Sequence, residues 1–423
     1  MSIFEQAESE VRSYCRAFPV IFDRSEGCFM YDENGNKYLD FFAGAGALNY
    51  GHNNPYIIGK MTEYLQHGGI LHALDMSTVA KRKFLTDFQE RILKPRGLDY
   101  KVMFPAPTGT NAVESAFKLA RKVKGRQTIF AFQGAFHGMS LGSLAATSHA
   151  YPRAASGTPL LGVTFMPFPY GFNKSFDTIG YIENVIEDDH SGSEVPAAIV
   201  VETVQAEGGI IPVDVEWLRR LRELCYKHGI LLIVDDIQIG CGRTGEFFSF
   251  EKAGIVPDMV TLSKSIGGIG LPMALLLMRP ELDIWGPAEH NGTFRGNQLA
   301  FVAADAALDV LENDRLLDHV KQLEKFLVKY VEEKILPLDA RIEYRGRGLI
   351  YGIDFTALDP SGALAGKISK KCFENGLIIE RSGRNDTVLK ILPPLVITEE
   401  ELKQGLDIIA SSAAEIMSKE ITK

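Results

Sequence analysis

No two of the five cysteines, Cys15, Cys28, Cys225, Cys241 and Cys372, are spaced as metal ligands or a redox couple would be. No metal site is therefore expected, and the thiols read as free in a reducing compartment. Dense runs of lysine and arginine are missing too, and 45 basic against 54 acidic residues leave a net charge of −9. Such a chain has no electrostatic footprint for nucleic acid or for an anionic membrane, so neither is expected as a partner. Long apolar stretches are also absent. The longest, residues 266–278, is broken by glycine and proline and is too short to span a bilayer. The opening residues, Met1 to Arg12, are acidic and polar where a signal peptide needs a basic end and an apolar segment, so the cytoplasm is the expected location. Neither an internal repeat nor a low-complexity linker is present.

What the chain does have is length and alternation. Its 423 residues, 46% hydrophobic and 23% charged, suffice for two or three packed domains with a large core. Residues 1–55 read as an entry segment with a hairpin around the turn at Asp32-Glu33-Asn34-Gly35-Asn36, then a Gly- and Asn-rich loop over a cavity. His52 in that loop reads as structural. From 56 to 315, strand-like apolar runs alternate with amphipathic segments, the signature of a mainly parallel sheet flanked by helices. The runs are 102–104, 128–132, 197–201, 231–234, 259–262 and 274–278. In one of the helices Trp217, Leu218, Leu221, Leu224 and Cys225 recur at three- and four-residue steps, with Arg219, Arg220, Arg222 and Glu223 expected on the opposite face. Residues 316–423 have fewer, more separated strands and suggest a smaller α+β domain.

Chemistry concentrates at strand ends. Leu231-Leu232-Ile233-Val234 reads as a strand buried on both faces and runs into Asp235-Asp236-Ile237-Gln238. A second such run, Met259-Val260-Thr261-Leu262, leads to Ser263-Lys264-Ser265. An acid and an amine at neighbouring strand ends suit pyridoxal phosphate, which needs an amine for its Schiff base and an anion to keep the ring nitrogen protonated. Pro107-Thr108-Gly109-Thr110-Asn111 opens a helix and offers unpaired N–H groups to a phosphate, or else an ordinary cap by Thr110 or Asn111. No Walker lysine follows. Phe136-His137 places aromatic rings near the same crevice. Glu202 and Glu207 form an acid pair that taken alone also suits glycoside hydrolysis. Thr293 and Arg295 lie in a Gly-rich loop suited to anions.

Together these stretches resemble the class III (omega) aminotransferases, pyridoxal-phosphate enzymes of fold type I, over nearly the whole chain. The resemblance implies an α/β large domain with a mainly parallel seven-stranded sheet at 56–315, and a small α+β domain built from both termini, 1–55 with 316–423. It implies that Lys264 is the Schiff-base lysine, that Asp235 holds the pyridine nitrogen and Gln238 the ring 3-oxygen, and that Phe136, with His137 beside it, stacks on the ring. Thr108, Gly109 and Thr110 are implied at the phosphate. Thr293 is implied to reach it from the neighbouring subunit, making a homodimer or dimer of dimers with active sites at the interface. Within the family the closest resemblance is to the group acting in ectoine biosynthesis, which interconverts glutamate and aspartate 4-semialdehyde with 2,4-diaminobutyrate and 2-oxoglutarate. The small-molecule partners implied are thus amino acids and oxoacids. Other omega-aminotransferases, of the 4-aminobutyrate or ornithine type, share every cofactor residue, and supply of diaminobutyrate for siderophore synthesis is the alternative to the ectoine role. Three positions depart from the broad family pattern: Asp236 replaces glutamate, Ala206 replaces glycine, and Lys390 stands where many members have an arginine that pairs with the glutamate matching Glu207. Lysine keeps the charge but loses the bidentate fork. Arg295 is expected either to supply that fork for substrate carboxylates or to tie its loop across the dimer.

Overall fold

The computed structural model describes residues 2–421. Near its start, strands β1 (Phe22–Glu26), β2 (Phe29–Asp32) and β3 (Lys37–Asp40) pair in antiparallel order. The turn between β2 and β3 closes on the Asp32 carboxylate, which accepts from the backbone N–H of Asn34 at 3.0 Å and of Asn36 at 2.9 Å. The chain then supplies β4 (Lys101–Met103), β5 (Ile129–Phe132), β6 (Val163–Met166) and β7 (Ala198–Val201), followed by a short ribbon of β8 (Val204–Gln205) and β9 (Ile211–Pro212). After the ribbon come β10 (Leu231–Asp235), β11 (Met259–Leu262) and β12 (Leu275–Met278). All but the ribbon join one seven-stranded sheet in the order β4-β12-β11-β10-β7-β5-β6. β12 runs antiparallel to both neighbours, and the remaining pairs are parallel.

Side chains alternate between the two faces of this sheet, and both faces are dry. Leu232, Val234, Val260 and Leu262 belong to one core cluster, while Leu231, Ile233 and Met259 belong to another. A strand buried on both faces needs apolar residues at nearly every position, which is why these segments read as apolar runs, Thr261 being the one polar residue among them. β6 is the strand the runs did not announce. It sits at the sheet edge with only Met166 fully buried, so Val163-Thr164-Phe165-Met166 keeps a polar position. The helix Gly109–Lys124 covers one face through Val113, Ala116, Phe117 and Ala120.

The last part of the chain adds β13 (Glu343–Arg347), β14 (Ile350–Asp354), β15 (Leu377–Ile378), β16 (Glu380–Ser382) and β17 (Val388–Ile391). Four of them form an antiparallel sheet, β13-β14-β17-β16, whereas β15 pairs in parallel with β3, Leu377 opposite Leu39. Residues near both ends of the chain thus share one sheet. Among the described residues no helix is long and apolar enough to cross a membrane.

Two local expectations are corrected. Arg222 does not lie on the solvent face of the helix Val215–Lys227: it is buried, and its guanidinium meets Asp258 at 2.7 Å. Its position, four residues after Leu218 and three before Cys225, puts it on the packed face, and Asp258 neutralises it while also accepting from the Leu232 N–H at 2.7 Å. The helix at 109 is capped by Thr108 rather than Thr110 or Asn111, with the Asn111 side chain accepting from the Thr108 hydroxyl at 2.7 Å.

Candidate active site

Parallel pairing of β10 with β11 sets Asp235 opposite Thr261 at the carboxyl ends of both strands. Lys264 follows two residues beyond β11, in a left-handed backbone conformation with φ of 54°. Asp235 is clamped on both oxygens: the Thr261 hydroxyl donates to Oδ1 at 3.1 Å, and His137 Nδ1 lies 2.7 Å from Oδ2. Burial opposes charge on His137, yet the hydrogen bond and charge of Asp235 raise its pKa above the ordinary imidazole value. Glu202 sits behind this pair, accepting the Phe136 N–H at 3.0 Å, and burial lifts its pKa to about 8. Lys264 moves the other way. Burial lowers its amine to about 8, Glu207 opposes that shift, and Lys390 adds to it.

Asp235, Lys264, Gly109, Thr110, Phe136, His137, Gln238 and Glu207 line one cavity of about 160 Å3. Gln238 is fixed by its amide, which donates to the Ala45 carbonyl at 2.9 Å, leaving its Oε1 buried without a partner. The loop carrying that carbonyl winds through Ala43, Gly44, Ala45 and Gly46, all at positive φ. At Gly109 a Cβ would stand 2.9 Å from Ile237 Cδ1, so the helix start packs closely against the loop residue Ile237 that follows β10. The Thr110 hydroxyl is within 2.6 Å of Ser140 Oγ, which donates to Glu114. Thr108 is exposed at the helix start.

Outside this cavity lies a larger one of about 1030 Å3, lined among others by Tyr14, Phe136, Glu207, Glu380 and Arg384. Glu207 and Phe136 line both. Lys390, fully buried, donates to Glu207 at 2.6 Å and to Glu380 at 2.9 Å. The acid pair read from the sequence is therefore divided: Glu202 faces His137 and Asp235, and Glu207 faces lysine. Glu380 escaped the sequence reading. It stands opposite Lys390 in the β16–β17 pair, and the turn residues Gly383 to Thr387 were the only local sign of that hairpin.

Thr293 and Arg295 are not brought to this cavity within the chain. Thr293 is exposed, its carbonyl 3.2 Å from His72 Nε2, and Arg295 donates to the Phe104 carbonyl at 2.9 Å. His52 meets Asp40 at 2.7 Å, buried, and neither residue lines the cavity.

The donor set fits the expected pyridoxal phosphate. It offers an amine depressed toward neutrality, an anion held by His137, an unpartnered amide oxygen and a helix start that a Cβ would obstruct. The family model for class-III aminotransferases matches residues 12–412. A protein of Streptomyces avermitilis named diaminobutyrate–2-oxoglutarate transaminase is 56% identical over 421 residues, covering 98% of each chain. One of the same name from Wolinella succinogenes is 54% identical over 99% of this chain and 97% of its own. Among solved structures, the ornithine aminotransferase of Toxoplasma gondii superposes with a TM-score of 0.85 at 26% identity, over 98% of this chain and 94% of that one. The acetylornithine aminotransferase of Elizabethkingia anophelis gives 0.79 at 29% identity, over 98% of both.

Proposed function

Because the chain belongs to the class-III aminotransferase family, a transaminase with pyridoxal phosphate as cofactor and amino acids and oxoacids as substrates, we propose that it interconverts L-glutamate and L-aspartate 4-semialdehyde with L-2,4-diaminobutyrate and 2-oxoglutarate. The supporting observation is the cavity that gathers Lys264, Asp235 and Gln238 in a chain more than half identical to relatives named for that reaction. Supply of diaminobutyrate for ectoine synthesis in the cytoplasm is the role we assign to it.

The cofactor, when bound, supplies an electron sink for charge developing on the substrate carbon. The chain supplies everything else. Lys264 is assigned as the amine that holds the cofactor and then carries a proton on and off the substrate carbon, a positioned transfer worth roughly 10² to 10⁴ in rate. Asp235, oriented by His137 and Thr261, is assigned to the ring nitrogen, and Gln238 to the 3-oxygen. Phe136 covers the ring. Thr108, Gly109 and Thr110 take the phosphate at the helix start, joined by Thr293 of a second copy in a homodimer. Glu207 and Lys390 guard the substrate side, and Arg295 is assigned to substrate carboxylate across the same interface. Residues 1–55 and 316–423 are taken as the small domain and 56–315 as the large one.

Purified holoenzyme with 2-oxoglutarate and a panel of amino donors tests the reading through glutamate formation. Diaminobutyrate should give the highest kcat/KM. An ornithine preference, the class of one structural neighbour, would replace it.

A further inference from the structure

Glu207 is accounted for by its place at the cavity, but a second carboxylate on the same lysine is not. Lys390 carries one positive charge and meets two acids, Glu207 at 2.6 Å and Glu380 at 2.9 Å, so the trio holds one negative charge in excess when both acids are ionised. The lysine side chain is 0% exposed, and those of Glu207 and Glu380 are 30% and 15% exposed, so water screens the excess poorly. The trio faces the substrate side, because Glu207 lines both cavities and Glu380 lines the outer one.

We infer that Glu380 is a specificity-determining residue: with Glu207 it makes the Lys390 trio a receptor for the second, non-reacting ammonium of a diamine substrate. The inference rests on the reading of the reaction given above and says how that substrate is told from glutamate. One ammonium of 2,4-diaminobutyrate reacts at the cofactor, while the other stays cationic at the far side of a short carbon chain. That ammonium shares its carbon with the α-carboxylate, whereas glutamate, reacting through its α-amine, brings only a carboxylate to that region. A lysine already engaged by two acids is a weak acceptor for a further anion, whereas an acid with half a cation to itself gains from another.

The protonation preferences agree with this arrangement. Burial raises the pKa of Glu380, so of the trio it is the acid that a bound cation would most help to ionise; the neighbouring Glu207, held down by the charge of Lys390 despite its burial, is already charged. Tyr14 completes the setting. Exposed on the wall of the outer cavity that Glu380 also lines, it has its pKa raised to about 12 by partial burial of its hydroxyl and by the two acids, so it stays neutral and adds no charge. The strand register fixes the geometry: Glu380 and Lys390 are direct cross-strand partners, and the Gly383 N–H donates to the Glu207 carbonyl at 3.0 Å, tying the hairpin to the loop that bears the first acid.

Steady-state kinetics of the wild-type, Glu380→Gln and Glu380→Asp holoenzymes test the assignment, with melting temperature recorded for each. Glutamine keeps the shape and can still accept from Lys390. The expected result is a roughly tenfold rise in KM for 2,4-diaminobutyrate in Glu380→Gln, the loss of about one charge-assisted hydrogen bond, with KM for glutamate unchanged or lowered. Glu380→Asp, which keeps the charge, should recover most of that selectivity. Equal losses for both donors, or no change for diaminobutyrate in a protein melting like wild type, overturn the assignment of Glu380 while the reaction stands. If Glu380→Gln does not fold, Glu380→Asp behaving as a general loss of activity toward both donors overturns it equally. Wild-type enzyme inactive with diaminobutyrate overturns the reaction itself, and this inference with it.

Discussion

The lysine proposed to hold the cofactor, Lys264, has to give up its proton to form a covalent bond at neutral pH, and its surroundings bring that within reach. Burial pushes its amine from 10.5 to about 8, against the pull of Glu207. The lowered pKa favours the neutral, nucleophilic form, which gains population as pH rises through about 8 instead of through the ordinary lysine range. Borohydride trapping of pyridoxal phosphate on cofactor-stripped enzyme should then show an adduct rate that climbs between pH 7 and 9 and levels off about two units below where a solvated lysine would. A rate still climbing steeply at pH 10 would mean that the site does not depress this amine. Lys264→Ala should show no trapped adduct at that position and no turnover. At this scale the sequence was a good guide to position where a residue follows a buried strand, since Asp235 ends the apolar run 231–234 and Lys264 comes two residues after a run interrupted only by Thr261. It was a poor guide to Glu380, whose meaning exists only through the cross-strand register that puts it against Lys390.

Packing between elements decides cases where local propensity points the wrong way. The final helix, Glu399–Ile421, carries Gly405 in its interior, where alanine would ordinarily be better by about 1 kcal/mol. Here a Cβ would fall 2.1 Å from Cζ of Phe41, a side chain with 0% exposure on the segment that follows β3. Gly405→Ala is expected to destabilise by roughly 1–3 kcal/mol through overpacking. Gly59, in the helix Pro55–Gln66, has nothing within 4 Å of its would-be Cβ. Gly59→Ala should stabilise by up to about 1 kcal/mol. Urea titrations with a shared slope would show the midpoints moving in opposite directions, and a Gly405→Ala protein as stable as Gly59→Ala would refute the close contact. The same limit explains what the sequence did not yield among the elements. An edge strand such as β6 is half wet and has no continuous apolar run. The β16–β17 hairpin begins on Glu380-Arg381-Ser382 and is made a strand by its partner, not by its own composition. Arg222 looked solvent-facing because charge was read ahead of helical phase.

At the scale of the whole molecule, the described chain gathers Lys264, Asp235 and Gln238 in one cavity but leaves two of the expected site residues elsewhere. Thr293 and Arg295 sit on a loop whose Phe294 is 65% exposed and packs edge-on against His72 at 5.5 Å. Beside His72, Ile70, Leu71, Leu74, Met76 and Val79 are all exposed. Exposed apolar residues this close along the chain suit a contact with another protein surface, and the partner we propose is a second copy of this chain, as the class-III resemblance implies. If each site takes its lysine from one subunit and Thr293 with Arg295 from the other, two crippled enzymes should repair each other. Lys264→Ala homodimers lack the amine, and Thr293→Ala/Arg295→Ala homodimers lack the partner's contribution. A mixed dimer has one site that inherits both defects and one that inherits neither. After equimolar reassociation at random, half of the dimers are mixed, so activity should return to about a quarter of the wild-type level, all of it in mixed dimers. Were the loop to serve its own subunit, both sites of every mixed dimer would remain defective, and mixing would yield only the average of the two parents.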